Sequence, residues 1–200
     1  QQWYTPSNAT LVVAGDVDPD AVHSMARDYF GGIEAREVPE VHDPDNLQPP
    51  GERRVIHRDP QARVTQLRMG YEVPSFPTAE SGRDPYALLM LASVLDGGDG
   101  ARLSEELVRG TGVAAAAGAS YNPMVRLDGE FSLYGVPADG DVDAVETALR
   151  EQVRRLQREP VSEEALERAR SQMLADHLFE MDSVFYQAMQ LGMLETTGAG

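Results

Sequence analysis

The amino-acid sequence predicts an α+β fold in which helices pack on one face of a largely antiparallel sheet. Strand-like runs alternate with helical patterns in the first part of the chain, and the stretch after Gly140 is helical to the end. The chain has 200 residues with 42% apolar composition, which is enough to bury one sizeable core. We therefore expect residues 1–200 to form a single domain.

The first half of the chain should begin with a strand followed by a helix. The β-branched run at residues 9–14 is typical of a buried strand. Asp18 can cap a helix whose first turn holds Pro19, and Gly31 ends that helix. Proline content and period-two alternation predict the rest of this half, which is an extended connection at 34–51 and two paired strands at 52–58 and 63–71.

The second half is predicted to be mainly helical around two further strands. Asp84 and Pro85 open a helix that the glycine-rich turn at residues 97–100 ends. The alanine-rich run at 113–119 is assigned as a strand, although alanine alone favours helix. The remaining elements are a short helix with Leu103, Leu107 and Val108, a strand at 131–136, and three helices that begin after Gly140, at Ser162 and near Ser183.

Composition excludes several classes of partner and chemistry. The 33 acidic and 17 basic residues give a formal net charge of −16, which repels nucleic acid and anionic membranes. No apolar run reaches the roughly 18 residues that a membrane span needs, so no membrane partner is expected. The chain has no cysteine, which excludes disulfides, a thiol nucleophile and a thiolate zinc site, but does not distinguish cytoplasm from periplasm.

The histidines do not form a metal-binding pattern. The four are His23, His42, His57 and His177, and no two of them lie within four residues of each other. The segment HLFEM at residues 177–181 matches the inverted zinc motif H-x-x-E-H except that Met181 replaces the second histidine. A catalytic zinc needs three protein ligands, so this segment predicts no zinc site.

Other candidate motifs are also better explained by structure than by chemistry. The GGDG turn at residues 97–100 lacks the lysine of a phosphate loop, and the acidic pairs at 105–106 and 163–164 are typical of helix first turns. Three serines lack the G-x-S-x-G context of a serine hydrolase, namely Ser24, Ser104 and Ser171. We assign no catalytic or metal-binding residue to this chain, and its pattern identifies no substrate-binding residue.

Three stretches together resemble a known family. They are WYTPSNATLVVAGDVDP at residues 3–19, LDGGDGARLSEELVR at 95–109, and VSEEALERA at 161–169. In this order and spacing they resemble the second domain of insulinase/pitrilysin-type zinc metallopeptidases, the group that includes bacterial zinc proteases and the mitochondrial processing peptidase. The resemblance covers nearly the whole chain, and we therefore expect the chain to be a piece of a longer protein.

The resemblance implies a mitochondrial-processing-peptidase-like α/β domain, with two such domains in each half of the enzyme and two halves that close around an unfolded peptide. It also implies that zinc binds in the preceding domain, which carries H-x-x-E-H, so that no cofactor belongs to this piece. The implied partners are the zinc-binding domain of the same parent, a second homologous half on the same or another chain, and an unfolded peptide.

Two positions separate the halves of such an enzyme. The noncatalytic half resembled here carries an Arg and a Tyr that contact substrate, whereas this sequence has Val108 and Ala115 at those positions and Arg109 one residue late. This difference favours the zinc-bearing half of an endopeptidase. Two alternatives stay open at this point, a catalytically inactive scaffold subunit of the same family and a freestanding acidic binding module.

Overall fold

The computed structural model describes residues 3–40 and 51–198 as a two-layer α+β structure, which confirms the predicted fold class. A three-stranded antiparallel sheet forms one layer, and helices form the other. In chain order the elements are a 3-10 turn Pro6–Asn8, α1 Pro19–Phe30, β1 Leu67–Val73, α2 Asp84–Asp96, a π-helical segment Ser104–Gly110, β2 Ala114–Tyr121, β3 Gly129–Pro137, α3 Val142–Arg158, α4 Glu163–Met181 and α5 Val184–Thr197.

The sheet has the order β1-β3-β2, so β3 is central and the other two strands are edges. In the register, Met69 lies opposite Leu133, and Leu133 lies opposite Ala119. Side chains alternate across a strand, so these three residues share one face. That face carries the core, in which Val145 and Leu149 of α3 are fully buried.

Glycine allows α3 to pack directly on the central strand. Gly135 lies on the core face of β3, and a Cβ atom at this position would come within 2.4 Å of Val145 Cγ1. The helix therefore packs directly against the backbone of β3, at a distance that a residue larger than glycine would not permit.

The predicted helix boundaries are confirmed where a polar side chain caps the helix. Asp18 accepts hydrogen bonds from the backbone of Asp20 and Ala21 at the start of α1. Asp141, Ser162 and Ser183 cap α3, α4 and α5 in the same way. Within residues 3–40 and 51–198, no helix combines the length and apolar composition that a membrane crossing requires.

The predicted strand at residues 9–14 is wrong. This run has no regular secondary structure and forms no ladder with another described strand, and Leu11 and Val13 are 61% and 48% exposed. Residues 3–40 make local contacts instead: Arg36 donates hydrogen bonds to the Tyr4 carbonyl and the Thr5 hydroxyl. The helix α1 within this segment contains no buried residue. A β-branched run becomes a strand only where a neighbouring strand satisfies its backbone groups, and the described residues supply none here.

The predicted pair of strands at 52–58 and 63–71 is also wrong in part. The second strand exists but runs from Leu67 to Val73, and it pairs with β3 rather than with residues 52–58. Residues 52–58 are exposed and have no regular secondary structure. Alternation of apolar and polar residues indicates which side chains share a face of the sheet, but it does not identify the partner strand. The wrong pairing was predicted for this reason.

Candidate functional site: the polar face of the sheet

The second face of the sheet is polar. The register places Arg68 opposite Tyr134, Gly70 opposite Ser132, and Glu72 opposite Glu130, all pointing away from the core. We call this surface the polar sheet face; its residues are Arg68, Gly70, Glu72, Gly118, Ser120, Glu130, Ser132 and Tyr134. Most of them are exposed, so this face is available to a polar partner.

A cross-strand network forms the centre of this face. The Arg68 guanidinium donates to Glu130 Oε1 at 2.8 Å and to Ser132 Oγ at 2.9 Å, and the Ser132 hydroxyl donates to Glu130. Ser132 is buried, whereas the Arg68 side chain is 72% exposed. The carboxylate therefore orients the guanidinium above the sheet while leaving most of it open to solvent.

The chemistry of this network favours binding over proton transfer. Hydrogen bonds from Ser132 and Arg68 hold the pKa of Glu130 below its ordinary value, so this carboxylate stays ionised at neutral pH and is a poor general acid or base. Gly70 leaves room for it, since a Cβ there would lie 2.8 Å from the Glu130 carboxylate. An oriented, exposed guanidinium suits a peptide carbonyl or carboxylate.

A second carboxylate borders the polar sheet face at the outer edge of β2. Asp96, the last residue of α2, accepts a hydrogen bond from the backbone of Ala119 at 3.1 Å. Burial raises the pKa of Asp96, and the bond from Ala119 opposes that rise only in part. Tyr134 lies across Gly118 beside this carboxylate. Asp96 therefore occupies part of the hydrogen-bonding edge of β2, and this makes the edge less able to pair with another strand.

Glu106 joins the π-helical segment to α3. It accepts from Gln152 Nε2 at 2.8 Å and from Arg155 at 2.5 Å. Burial acts to raise the pKa of Glu106, but these hydrogen bonds and the charges of Arg155 and Arg102 outweigh it, so the pKa lies below its ordinary value. This cluster joins two helical elements and is structural in character.

The structure keeps the sequence-selected histidines apart. His23 is exposed on α1, His57 lies in the irregular segment after Gly51, and His177 is exposed on α4; His42 falls outside the described residues. Among residues 3–40 and 51–198, no group of three or more His, Cys, Asp or Glu side chains is placed to hold a metal ion.

The other selected residues lie in structural positions. The GGDG turn ends α2, with Gly98 at φ +94°. Glu105 pairs with Arg109 at 2.8 Å, and the acidic pair at 163–164 lies in the first turn of α4. The three serines lie on α1, in the π-helical segment and on α4. Val108 packs against the core, and Ala115 is exposed in β2. Both side chains are apolar, so neither can make the polar contact expected of an Arg or a Tyr.

Sequence reasoning did not find the network of Arg68, Glu130 and Ser132. Arg68 and Glu130 are 62 residues apart in the sequence, and only the register of β1 against β3 brings them together. The polar positions that alternate within each strand were the available signal, but alternation cannot pair two strands.

The fold and this surface define a two-layer α+β domain that presents a polar sheet face. Over residues 1–173 the sequence matches the family model described as the peptidase M16 inactive domain, and the chain belongs to this family. The resemblance to zinc metallopeptidases is thereby confirmed.

Curated relatives carry the same relationship. The sequence is 27% identical over 192 residues to an uncharacterized zinc protease of Rickettsia bellii, covering 94% of this chain and 43% of the relative. It is 23% identical to the zinc protease PqqE of Helicobacter pylori, covering 90% of this chain and 40% of the relative. This chain therefore spans less than half the length of these relatives.

Two solved structures share the fold. The crystal structure of a protease from Helicobacter pylori superposes with a TM-score of 0.85 at 19% identity, covering 98% of this chain and 48% of that one. A peptidase M16 inactive domain from Pseudomonas fluorescens superposes with a TM-score of 0.54 at 17% identity, covering 68% of this chain and 31% of that one.

Proposed function

We propose that this chain is the supporting, non-metal-binding domain of a zinc endopeptidase that degrades or processes unfolded peptides between two halves. Residues 1–200 form one domain of that parent, zinc belongs to a preceding domain, and a second homologous half completes the chamber. The match to zinc proteases along 94% of this chain but 43% of their length carries the proposal.

The polar sheet face supports a role in lining such a chamber. It places an oriented guanidinium and exposed hydroxyls on one open surface, and no catalytic group is needed there. An unfolded peptide exposes backbone carbonyls and side chains that such a surface can hold by many weak hydrogen bonds. Hydrolysis itself would use water activated by the zinc of the parent's other domain.

The decisive experiment measures zinc content and cleavage of an unfolded fluorogenic peptide by the whole parent protein. We expect about one zinc per catalytic centre and chelator-sensitive cleavage. A parent that is folded but contains no zinc and cleaves no peptide would refute the peptidase proposal.

Arg68→Ala tests whether the polar sheet face contacts substrate. Loss of one charge-assisted hydrogen bond at an exposed site should raise KM by about 3- to 10-fold with little change in kcat. Arg170→Ala is a matched control, because Arg170 is 70% exposed and pairs with Glu167 at 2.8 Å, as Arg68 is 72% exposed and pairs with Glu130 at 2.8 Å. Equal KM values for the two variants would exclude Arg68 from the substrate path.

The same difference from the noncatalytic half also fits a second function, that of a catalytically inactive scaffold subunit. Val108 and Ala115 stand where the resembled noncatalytic half carries substrate-contacting Arg and Tyr, and the structure gives neither a polar role. Copurification with an active homologous subunit, together with a parent that binds no zinc, would establish this function instead.

A further inference from the structure

A small cavity lies within the helical layer. Its volume is about 300 Å³, and it lies where the end of α2, the start of the π-helical segment and the first two turns of α4 meet. Pockets that hold small molecules span about 300–1,000 Å³, so this cavity suits a small ligand. None of its lining residues belongs to the polar sheet face.

Two guanidinium groups line this cavity. Arg168 of α4 extends over Gly100, since a Cβ atom at Gly100 would lie 3.8 Å from Arg168 Cδ. Arg168 forms no hydrogen bond or ion pair with any residue of 3–40 and 51–198. Arg102 approaches Glu106 only at 4.0 Å, and its buried Nη1 has no hydrogen-bond partner in the same part of the chain. Both cations therefore lack a hydrogen-bonded anion among the described residues.

The carboxylates of the cavity wall do not neutralise these two cations. Glu105 pairs with Arg109 at 2.8 Å. Glu106 accepts from Arg155 at 2.5 Å. Each carboxylate thus has a guanidinium partner that does not line the cavity. The two guanidinium groups of the cavity are left uncompensated in a chain whose formal net charge is −16, so they attract an anion from solution.

The arrangement fits a phosphate group better than a carboxylate. A carboxylate is planar, and the fork of one guanidinium satisfies both of its oxygens. A phosphate monoester has three acceptor oxygens that point in different directions and a charge of about −1.5 to −2 at neutral pH. It can therefore accept from two guanidinium groups that reach it from two different helical elements, and its charge matches theirs.

We propose that this cavity, here called the arginine pocket, binds the phosphate group of a small molecule beside Arg102 and Arg168. The source is either inorganic phosphate or a small phosphate ester. The bound phosphate links α4 to the start of the π-helical segment and gives both guanidinium groups the partner that they lack. Because the pocket exists only in the folded chain, the ligand also stabilises the protein.

A phosphorus NMR titration of the whole parent protein tests the arginine pocket, with inorganic phosphate as the probe at constant ionic strength. Arg168→Ala removes a charged donor and should weaken phosphate binding at least about 10-fold. Arg170→Ala is the matched control and should bind phosphate like the wild type, because Arg170 lies on the same helix, pairs with Glu167 and does not line the cavity. Absence of binding to the wild type, or equal affinities of the two variants, would overturn the proposal.

Arg102→Gln tests the second cation, once circular dichroism shows that the variant is folded. It should weaken phosphate binding by a similar factor, and an unchanged affinity would overturn the two-guanidinium site. Arg168→Ala decides alone if Arg102→Gln does not fold, since Arg168 is exposed.

Two further probes define the ligand. Succinate carries two carboxylates, and its binding as tightly as phosphate would overturn the choice of phosphate. Phenyl phosphate separates the two sources: tighter binding than inorganic phosphate supports an ester, and equal or weaker binding supports free phosphate. The proposal does not require peptidase activity. A parent that cleaves peptides without binding phosphate would refute the arginine pocket alone, and one that binds phosphate but no zinc would refute the peptidase alone.

Discussion

Gly135→Ala should destabilise the domain by opening the contact between α3 and the sheet. The new methyl group would lie 2.4 Å from Val145 Cγ1 and 3.5 Å from Leu149 Cδ1. Neither neighbour can turn toward solvent, because both are fully buried. The helix must therefore shift by enough to restore a normal carbon–carbon contact of about 3.5–4 Å.

The magnitude follows from two opposing effects. Overpacking of a dense core costs about 1–3 kcal/mol. Replacing glycine by alanine also restricts the unfolded chain, which returns about 0.4–1 kcal/mol. The expected net loss is about 1–2 kcal/mol, and with a urea m value of about 2 kcal/mol/M the unfolding midpoint falls by roughly 0.5–1 M.

Urea unfolding followed by circular dichroism measures this loss, and Gly82→Ala serves as the control because a Cβ there meets no atom within 4 Å. Val145→Ala removes the clashing methyl groups and by itself costs about 2 kcal/mol. The double variant should be more stable than the sum of the single losses implies, by at least about 1 kcal/mol. Additive losses, or a Gly135→Ala protein as stable as Gly82→Ala, would refute the close-packing argument.

Three further predictions concern single side chains, each measured by urea unfolding. Asp141→Ala removes the cap that accepts from Ala144 at 3.0 Å and should cost about 1 kcal/mol at neutral pH. Glu106→Gln should cost about 0.5–1 kcal/mol of unfolding free energy at neutral pH. Because the folded pKa of Glu106 is lowered, its stabilising contribution is present above the unfolded value of 4.5 and is lost as pH falls through the folded pKa. An equal cost of the substitution in acid would contradict this prediction. Asp96→Asn should be about 0.5 kcal/mol more stable than the wild type at neutral pH. Because the folded pKa of Asp96 is raised above 3.8, the wild type loses stability as pH rises from 3.8 through the folded pKa. The stability advantage of the Asn variant should therefore disappear in acid.

Local signals predicted most of the helices correctly. The sequence identified Asp18 as a cap and placed helix starts at Ser162 and near Ser183, and each of these three residues caps its helix in the structure. A cap acts over two or three residues and needs no partner from elsewhere in the chain, so its meaning is contained in the local sequence. The glycine-rich turn after α2 is local in the same sense, because it depends on the φ angle of Gly98.

The candidate site was beyond the reach of such local signals. Arg68 is one of 17 basic residues, and nothing near it in sequence distinguishes it from the others. Its position opposite Tyr134 and its bond to Glu130 both depend on the register of β1 against β3. Register is a property of two distant segments together, and a shift by one residue would turn Arg68 into the core.

The two errors in strand assignment have one physical explanation. The apolar run at 9–14 and the alternating segment at 52–58 both carry side-chain patterns suited to burial, yet Leu11 and Val55 are 61% and 88% exposed. A side-chain pattern is contained in one segment, whereas a strand also needs a second segment whose backbone pairs with it, and neither run has such a partner strand among residues 3–40 and 51–198. Each run therefore meets the side-chain requirement of a strand without meeting its backbone requirement, and an assignment from the pattern alone fails for that reason.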